Sequence, residues 1–332
     1  MEEENFSSLG KIEAIKKLYE STPFTPFESK SFETSGKEVI ASAGKVLLEG
    51  IDFDLVYFPL KHLGYKSVIA ATGELYAEMA HPEVLDIVIG ISAKLDFGHI
   101  KQFWEGIVAA AKEHGYKKVG LDLVPSRNGL CISISAVGKK SLLSAKRRMP
   151  AKSMYLICVS DNLGAAFFGL NILEREKKKF EEGSQPALED YKLLVGAYLK
   201  PELPAGVVGE LEKAEICPGY GYFVTRGLAD ALRRLVRDSG LGAKVYVDKI
   251  PFAGKSFDLG KEMNIDPVSA AMNGGDDYRL LFTIPITKVE DFRRDFQTFD
   301  IIGHLAKPEV GAVLVTPDGV ELPVKAQGWN NE

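Results

Sequence analysis

The sequence predicts an α+β protein made of two consecutive units, and three observations carry that reading. Short Val/Ile-rich runs alternate with longer stretches whose apolar residues recur at helical spacing. The chain has 332 residues, long for one domain and comfortable for two. A basic, irregular stretch, 139–152, reads as a linker between a first β-α-β-α-β-β succession and a second mixed one. The expected division is 1–38 as an N-terminal helix and loop, 39–145 as the first domain and 146–332 as the second.

Each element has its own signal. Residues 9–19 are expected as a short helix and 21–37 as polar loop. Residues 39–43 and 45–49 are strand-like, and 53–58 read as a continuation of the sheet. Residues 60–79 read as a helix with Gly64, Ala70, Ala71 and Gly73 on one side, a surface suited to close packing, with His81-Pro82 as its stop. The Val/Ile run 84–92 predicts a buried strand. Ile100, Phe103, Trp104, Ile107 and Val108 give 97–113 helical periodicity, with Gly115 as its stop. Strands 119–124 and 131–137 flank the turn Ser126-Arg127-Asn128-Gly129. In the second unit, strands are expected at 155–159, 219–224, 245–247 and 300–305, and a hairpin at 312–316 and 320–324. Helices are expected from about 164 to 179 and at 191–198, 207–214, 227–239, 255–263 and 289–296.

Composition narrows the function. Hydrophobic residues make up 45% and charged residues 26%, ordinary for a soluble globular protein. A net charge of −5 argues against a general binder of nucleic acid or anionic membrane, and no apolar run reaches the 18 or so residues of a membrane span. The opening MEEENFSSLG is acidic and polar and does not read as a signal peptide. Cys131, Cys158 and Cys217 are widely spaced and odd in number, which reads as buried free thiols in a reducing cytoplasm.

Chemistry concentrates in a few places. Asn273-Gly274-Gly275 is a turn followed by two carboxylates, Asp276 and Asp277, and then a short apolar strand. Polar groups held at a strand mouth are a common way to build a site. Glu49 and Asp52 flank the end of another strand, Asp122 ends a third, and Glu74 lies on the intervening helix. Singly, each acid reads as a solvated group; converging, they would suit magnesium. Residues 159–169, VSDNLGAAFFG, pass from strand through a polar turn, with Ser160, Asn162 and Gly164, into a helix N-terminus, a place where phosphate can seat. Arg148 reads either as a phosphate contact or as a surface charge. Trp329 reads either as a stacking platform or as a packed tail.

These stretches, in this order, resemble thiamine monophosphate kinase of the aminoimidazole ribonucleotide synthetase superfamily. The resemblance runs from about Val39 to Trp329 and rests on LLEGIDF (47–53), LGYK (63–66), Asp122, residues 159–170, NGGDDYRLLFT (273–283), IIGHL (301–305) and QGWN (327–330). It implies two α+β domains, a homodimer through the N-terminal sheets, and an ATP cleft between the domains. It also implies magnesium-assisted transfer of the γ-phosphoryl group of ATP to thiamine phosphate.

The resemblance breaks where the family's metal ligands fall. Its Gly-Asp-Asp-Ala-Ala motif has no counterpart at 34–43. One metal aspartate falls on Lys45 and another on Arg226, while Glu74 keeps an acid one methylene longer. Glu49, Asp122, Arg148, Asp277 and Trp329 survive. Two cations in a carboxylate cage compete with metal and reverse its charge logic. The expectation is therefore an impaired relative that still binds a nucleotide or another phosphate ligand. Lys45, Arg226, Arg148 and the turn 160–164 would contact phosphate, with Asp52, Asp276, Asp277 and Trp329 on the substrate side and Glu49, Glu74 and Asp122 as residual metal ligands. The alternatives are an active kinase with a rearranged metal site, or a structural dimer with an empty cleft, in which Lys45 and Arg226 would pair with Glu49, Glu74 and Asp122.

Overall fold

Two twisted sheets organise the chain in this computed structural model, which describes residues 12, 13, 16, 20, 32–34, 38–141 and 151–329. Most of the expected N-terminal helix and loop, Arg148 and the expected boundary near residue 145 lie outside those residues.

The first lobe is a five-stranded sheet with two helices on one face. Its elements run β1 (Phe32–Glu33), β2 (Glu38–Leu48), α1 (Leu60–Ala77), β3 (His81–Ile91), α2 (Phe97–Glu113), β4 (Lys118–Pro125) and β5 (Cys131–Ser141). The strand order is β1-β2-β5-β3-β4, with β3 and β4 parallel across the α2 crossover and the other pairs antiparallel. Ala41, Ala43 and Leu47, Leu85, Ile87 and Ile89, and Ile132, Ile134 and Ala136 point into the helix-covered core.

These strands alternate: Ser42, Gly44, Asp86, Ser133 and Ser135 lie at the intervening positions of the opposite face, together with Val46, Val88 and Val137. Three expectations change here. Residues 53–58 do not extend the sheet but turn after a single bridge between Glu49 and Phe53. Pro82 falls inside β3, beside a register shift between Pro82 and Val84. Of the three free cysteines, Cys158 is buried, whereas Cys131 and Cys217 are only partly so.

The second lobe comprises β6 (Leu156–Ser160), α3 (Ala165–Glu181), α4 (Lys192–Leu199), α5 (Val207–Lys213), β7 (Gly221–Val224), α6 (Leu228–Ser239), β8 (Gly242–Tyr246), α7 (Ser256–Met263), α8 (Pro267–Asn273), β9 (Arg279–Ile284), α9 (Val289–Asp295), β10 (Phe299–Ala306), β11 (Ala312–Val315) and β12 (Glu321–Pro323). The sheet order is β12-β11-β8-β10-β6-β9-β7. Helix α8 falls where the sequence reading placed only the approach to a turn. Its start signals are present: Asp266 caps the Val268 and Ser269 amides, and Pro267 takes the first helical position.

Helix α1 joins the lobes. It is apolar on nearly every side, the pattern of a helix buried all round rather than half-exposed. Its small residues set the spacing. A Cβ on Gly64 would stand 2.0 Å from the Phe103 carbonyl oxygen of α2, and one on Gly106 of α2 would stand 1.9 Å from the Lys61 carbonyl oxygen. On the other side, Gly73 makes room for the Phe223 ring of β7, and Gly221 of β7 packs against the Ala77 carbonyl. One hydrophobic core therefore continues from the first lobe, through α1, into one face of the second sheet.

Gly106→Ala should force α1 and α2 apart at a backbone-to-backbone contact. Overpacking of this kind should lower the thermal midpoint by about 5 °C, measured by calorimetry on the full chain.

Candidate functional site

Lys45 lies on the helix-facing side of β2, between the buried Ala43 and Leu47. Its ammonium stands 3.9 Å from the Glu74 carboxylate of α1. Arg226 follows β7 and is exposed. It makes no ion pair or side-chain hydrogen bond among the described residues. Gly227 behind it is left-handed, and a Cβ there would stand 2.3 Å from the Met272 carbonyl oxygen, so only glycine fits. Arg226, Asp276, Gly274, Gly275, Gln327 and Gly328 line an open cavity of about 420 Å³. Lys45 is not in the lining of that cavity, yet the charges of Arg226 and Asp276 act on it. Burial lowers its pKa most, Glu74 and Asp276 raise it, and Arg226 and Arg234 lower it further.

Asp276 meets a lysine that the sequence reading named only as part of the LGYK segment. Lys66 of α1 is 2% exposed and pairs with the Asp276 carboxylate at 3.1 Å. Its ammonium lies 3.8 Å from the centre of the Tyr198 ring and 5.3 Å from those of Phe58 and Tyr278. Burial depresses the Lys66 pKa, and Asp276 and Asp52 counter it. Such a cation survives in the interior because carboxylate and ring faces replace its water. Asp52 accepts the Leu48 amide at 2.7 Å, and burial pushes its carboxyl upward. The loop that carries Asp52 is fastened to the second lobe by Tyr57 to Glu174 at 2.5 Å, Lys177 to Asp54 at 2.6 Å, and the Tyr198 hydroxyl to the Asp52 carbonyl at 3.1 Å.

Asp276 and Asp277 are neighbours in sequence but point to different places. Gly275, Asp276 and Tyr278 are all left-handed, with φ of +79°, +60° and +55°. The two non-glycine residues there cost on the order of 1 kcal/mol each. The turn sends Asp276 to Lys66 and the cleft. It sends Asp277 into the interior, where its carboxylate accepts the Gly164 and Ala166 amides at 2.9 and 3.3 Å. The α3 N-terminus, expected to hold phosphate, thus has those two amides occupied by the protein's own carboxylate.

The remaining predicted residues are dispersed. Ser160 and Asn162 line a different cavity of about 710 Å³ between the lobes, together with Tyr65, Lys200 and Arg279. There the buried Arg279 donates to the Asn162 and Glu202 carbonyls, both at 3.0 Å, and pairs with Asp161 at 2.9 Å. Glu49 accepts the Leu130 amide at 2.6 Å and so ties the end of β2 to the start of β5. Asp122 is exposed on the edge strand β4 and accepts the Leu123 amide at 2.8 Å. Trp329 packs on α6. Its indole N–H donates to Asp230 at 2.9 Å, and the guanidinium groups of Arg233 and Arg237 lie over the ring.

Magnesium, implied by the resemblance, does not fit these residues. Among the described residues no three His, Cys, Asp or Glu side chains converge closely enough to hold a metal ion. Lys45 and Arg226 bring positive charge to the positions where the resemblance places aspartates. Lys66, Asp230, Arg234 and Arg279 are the charged groups that sequence reasoning missed. Only the Asp230-x3-Arg234 spacing, one helical turn, offered a signal.

No family model matches the chain. Among curated proteins it is 24% identical over 277 residues to thiamine-monophosphate kinase of Aquifex aeolicus, which covers 83% of this chain and 85% of that protein. It is 22% identical over 293 residues to the Bacillus subtilis thiamine-monophosphate kinase, covering 86% of each. A putative hydrogenase expression/formation protein of Methanocaldococcus jannaschii is 21% identical over 311 residues, covering 90% of this chain and 85% of that protein. Among solved structures, AaThiL complexed with AMPPCP and TMP superposes with a TM-score of 0.80 at 20% identity, covering 99% of each chain. Hydrogenase maturation protein HypE in complex with ATP superposes with 0.63 at 16% identity, covering 96% of this chain and 92% of that one. The chain therefore has the aminoimidazole ribonucleotide synthetase-like fold. Within that class it resembles thiamine-monophosphate kinases at distant identity. No helix among the described residues is long and apolar enough to cross a membrane.

The Asp277 carboxyl is pushed up by burial from 3.8 to about 7, against the pull of two amides and Arg279. Between those pH values the folded protein holds a proton that the unfolded chain releases. The contribution is thus present below about pH 4 and is lost as pH rises towards 7. Asp277→Asn should flatten the thermal midpoint between pH 4 and pH 7, read by scanning calorimetry; an unchanged slope would assign the pH dependence elsewhere.

Proposed function

We propose that this chain binds a phosphate-bearing ligand, ATP or thiamine phosphate, in the cleft at Lys45 and Arg226, and that it is a catalytically impaired relative of thiamine-monophosphate kinase. One pairing supports the reading: Arg226 lines the open cavity beside Asp276, is exposed and unpaired among the described residues, and acts on the charge of Lys45, whose ion-pair partner Glu74 is loose at 3.9 Å. Side-chain cations of this kind can bind phosphate oxygens directly and stand in for a metal's charge. They do not bridge the two phosphates of a transfer reaction as a metal does. The neighbour bound to AMPPCP and TMP supports the choice of ligand.

Calorimetry with inorganic pyrophosphate and with thiamine phosphate, each with magnesium or with EDTA, tests this. The expected affinity is unchanged by EDTA and falls with salt. Lys45→Ala combined with Arg226→Ala should weaken it at least about tenfold, on the order of 1.4 kcal/mol. Formation of thiamine diphosphate should be at least about 100-fold slower than in a kinase with intact aspartates. Binding that requires magnesium, or robust turnover, would restore the active-kinase reading. No binding at all would leave Lys45 and Glu74 as the closed pair of an empty cleft.

We also infer a homodimer through the uncovered face of the five-stranded sheet. Val46 is 53% exposed and Leu48 37% exposed on that face, among small residues that would let a second sheet approach closely. Light scattering at micromolar concentration should give a dimer mass, and Val46→Asp should give a monomer. A monomeric parent protein would refute this assembly.

A further inference from the structure

We infer that Asp230 is a positioning residue of the phosphate cleft: one buried carboxylate holds Trp329 with one oxygen and Arg234 with the other, and so fixes Arg234 as a third cation beside Lys45 and Arg226. The inference rests on the phosphate reading above and deepens it.

Asp230 is 4% exposed and lies in the first turn of α6, where the unsatisfied helix amides favour a carboxylate. Its Oδ1 accepts the Trp329 indole N–H at 2.9 Å. Its Oδ2 stands 3.1 Å from Nε of Arg234, one helical turn on. That N–H is not aligned for a hydrogen bond, so the contact is ionic. The guanidinium is fixed from a second side, because Nη2 donates to the Phe223 carbonyl at 3.0 Å. Nη1 has no partner among the described residues. The group lies beside the cavity, because Arg226, four residues before Asp230, and Gln327 and Gly328, which precede Trp329, all line it. The electrostatics agree, because Arg234 and Arg226 both depress the Lys45 ammonium.

Two held edges leave the arginine little rotational freedom. A guanidinium held in this way loses less entropy when it meets an anion. The indole anchors the tail to the same carboxylate. Any shift of Arg234 towards a bound phosphate must therefore be felt at Trp329, which gives the cleft a spectroscopic reporter.

The test uses the full chain carrying Trp104→Phe, which leaves Trp329 as the single tryptophan, with inorganic pyrophosphate as the probe and EDTA throughout. In this parent, Trp329 emission should change with the same midpoint as the calorimetric heat. Asp230→Asn keeps an oxygen for the indole but removes the charge facing Arg234. It should lower pyrophosphate affinity about fivefold and abolish the emission change. Arg234→Gln should have the same effect, and combining the two should add nothing further, because both act through one group. A merely structural role for Asp230 would lower thermal stability without this non-additivity. If Asp230→Asn does not fold, Arg234→Gln and Trp329→Phe carry the test, and both must lower the affinity. Parent-like affinity and emission response in Asp230→Asn, or losses that multiply in the double variant, would overturn the positioning role alone. No heat in the parent would overturn the phosphate reading, and the positioning role with it.

Discussion

The close approach of helix α1 to everything around it is the constraint on which the rest of the molecule depends. At Gly64 and Gly73 there is no room for a Cβ, because α2 lies against one and Phe223 against the other. This lets a single helix serve two sheets. The lobes therefore share a core and are not merely tethered. A cleft between lobes joined in this way has walls of fixed separation, and the ion pairs in it have fixed partners. Lys66 and Glu74 reach the cleft from the same helix that fills the joint.

A second consequence is electrostatic. Lys66 is among the large, fully buried side chains, and its charge is tolerated because Asp276 and three aromatic rings surround it. Tyr198 and Tyr278 come from the second lobe, and Phe58 from the loop that the second lobe fastens. The ammonium thus ties both lobes to the strained Gly275–Tyr278 turn. Around it the cleft alternates in sign: Lys66, Asp276, Lys45, Glu74, with Arg226 left over at the rim. Asp276 and Glu74 are each committed to a neighbouring lysine.

Much of the fold was legible in the sequence, and less of the site. The helix at 97–113 was found to the residue, because a clean apolar stripe and a terminal glycine left one solution. The helix over 267–273 is absent from the sequence expectation, although Asp266 and Pro267 mark its start, because seven residues give too short a window for helical periodicity. The electrostatic influence of Arg226 on Lys45 was expected only through resemblance, because the two are far apart in the chain. Two features were not legible at all. Asp276 and Asp277 look like a pair, but a left-handed φ at Asp276 sends them apart. The helix entrance at Gly164 looks like an empty phosphate seat, but the group that fills it lies 113 residues further along the chain.

Asp122 illustrates how a residue can keep its place and change its meaning. It stands in the middle of β4, an edge strand on which Val119, Leu121, Leu123 and Val124 are all substantially exposed. A long apolar edge of this kind is a template for strand addition by another chain. A charge at its centre, Lys118 at its start and Pro125 at its end make that addition costly. A charge at this point of an apolar edge opposes strand addition whether or not a metal is bound.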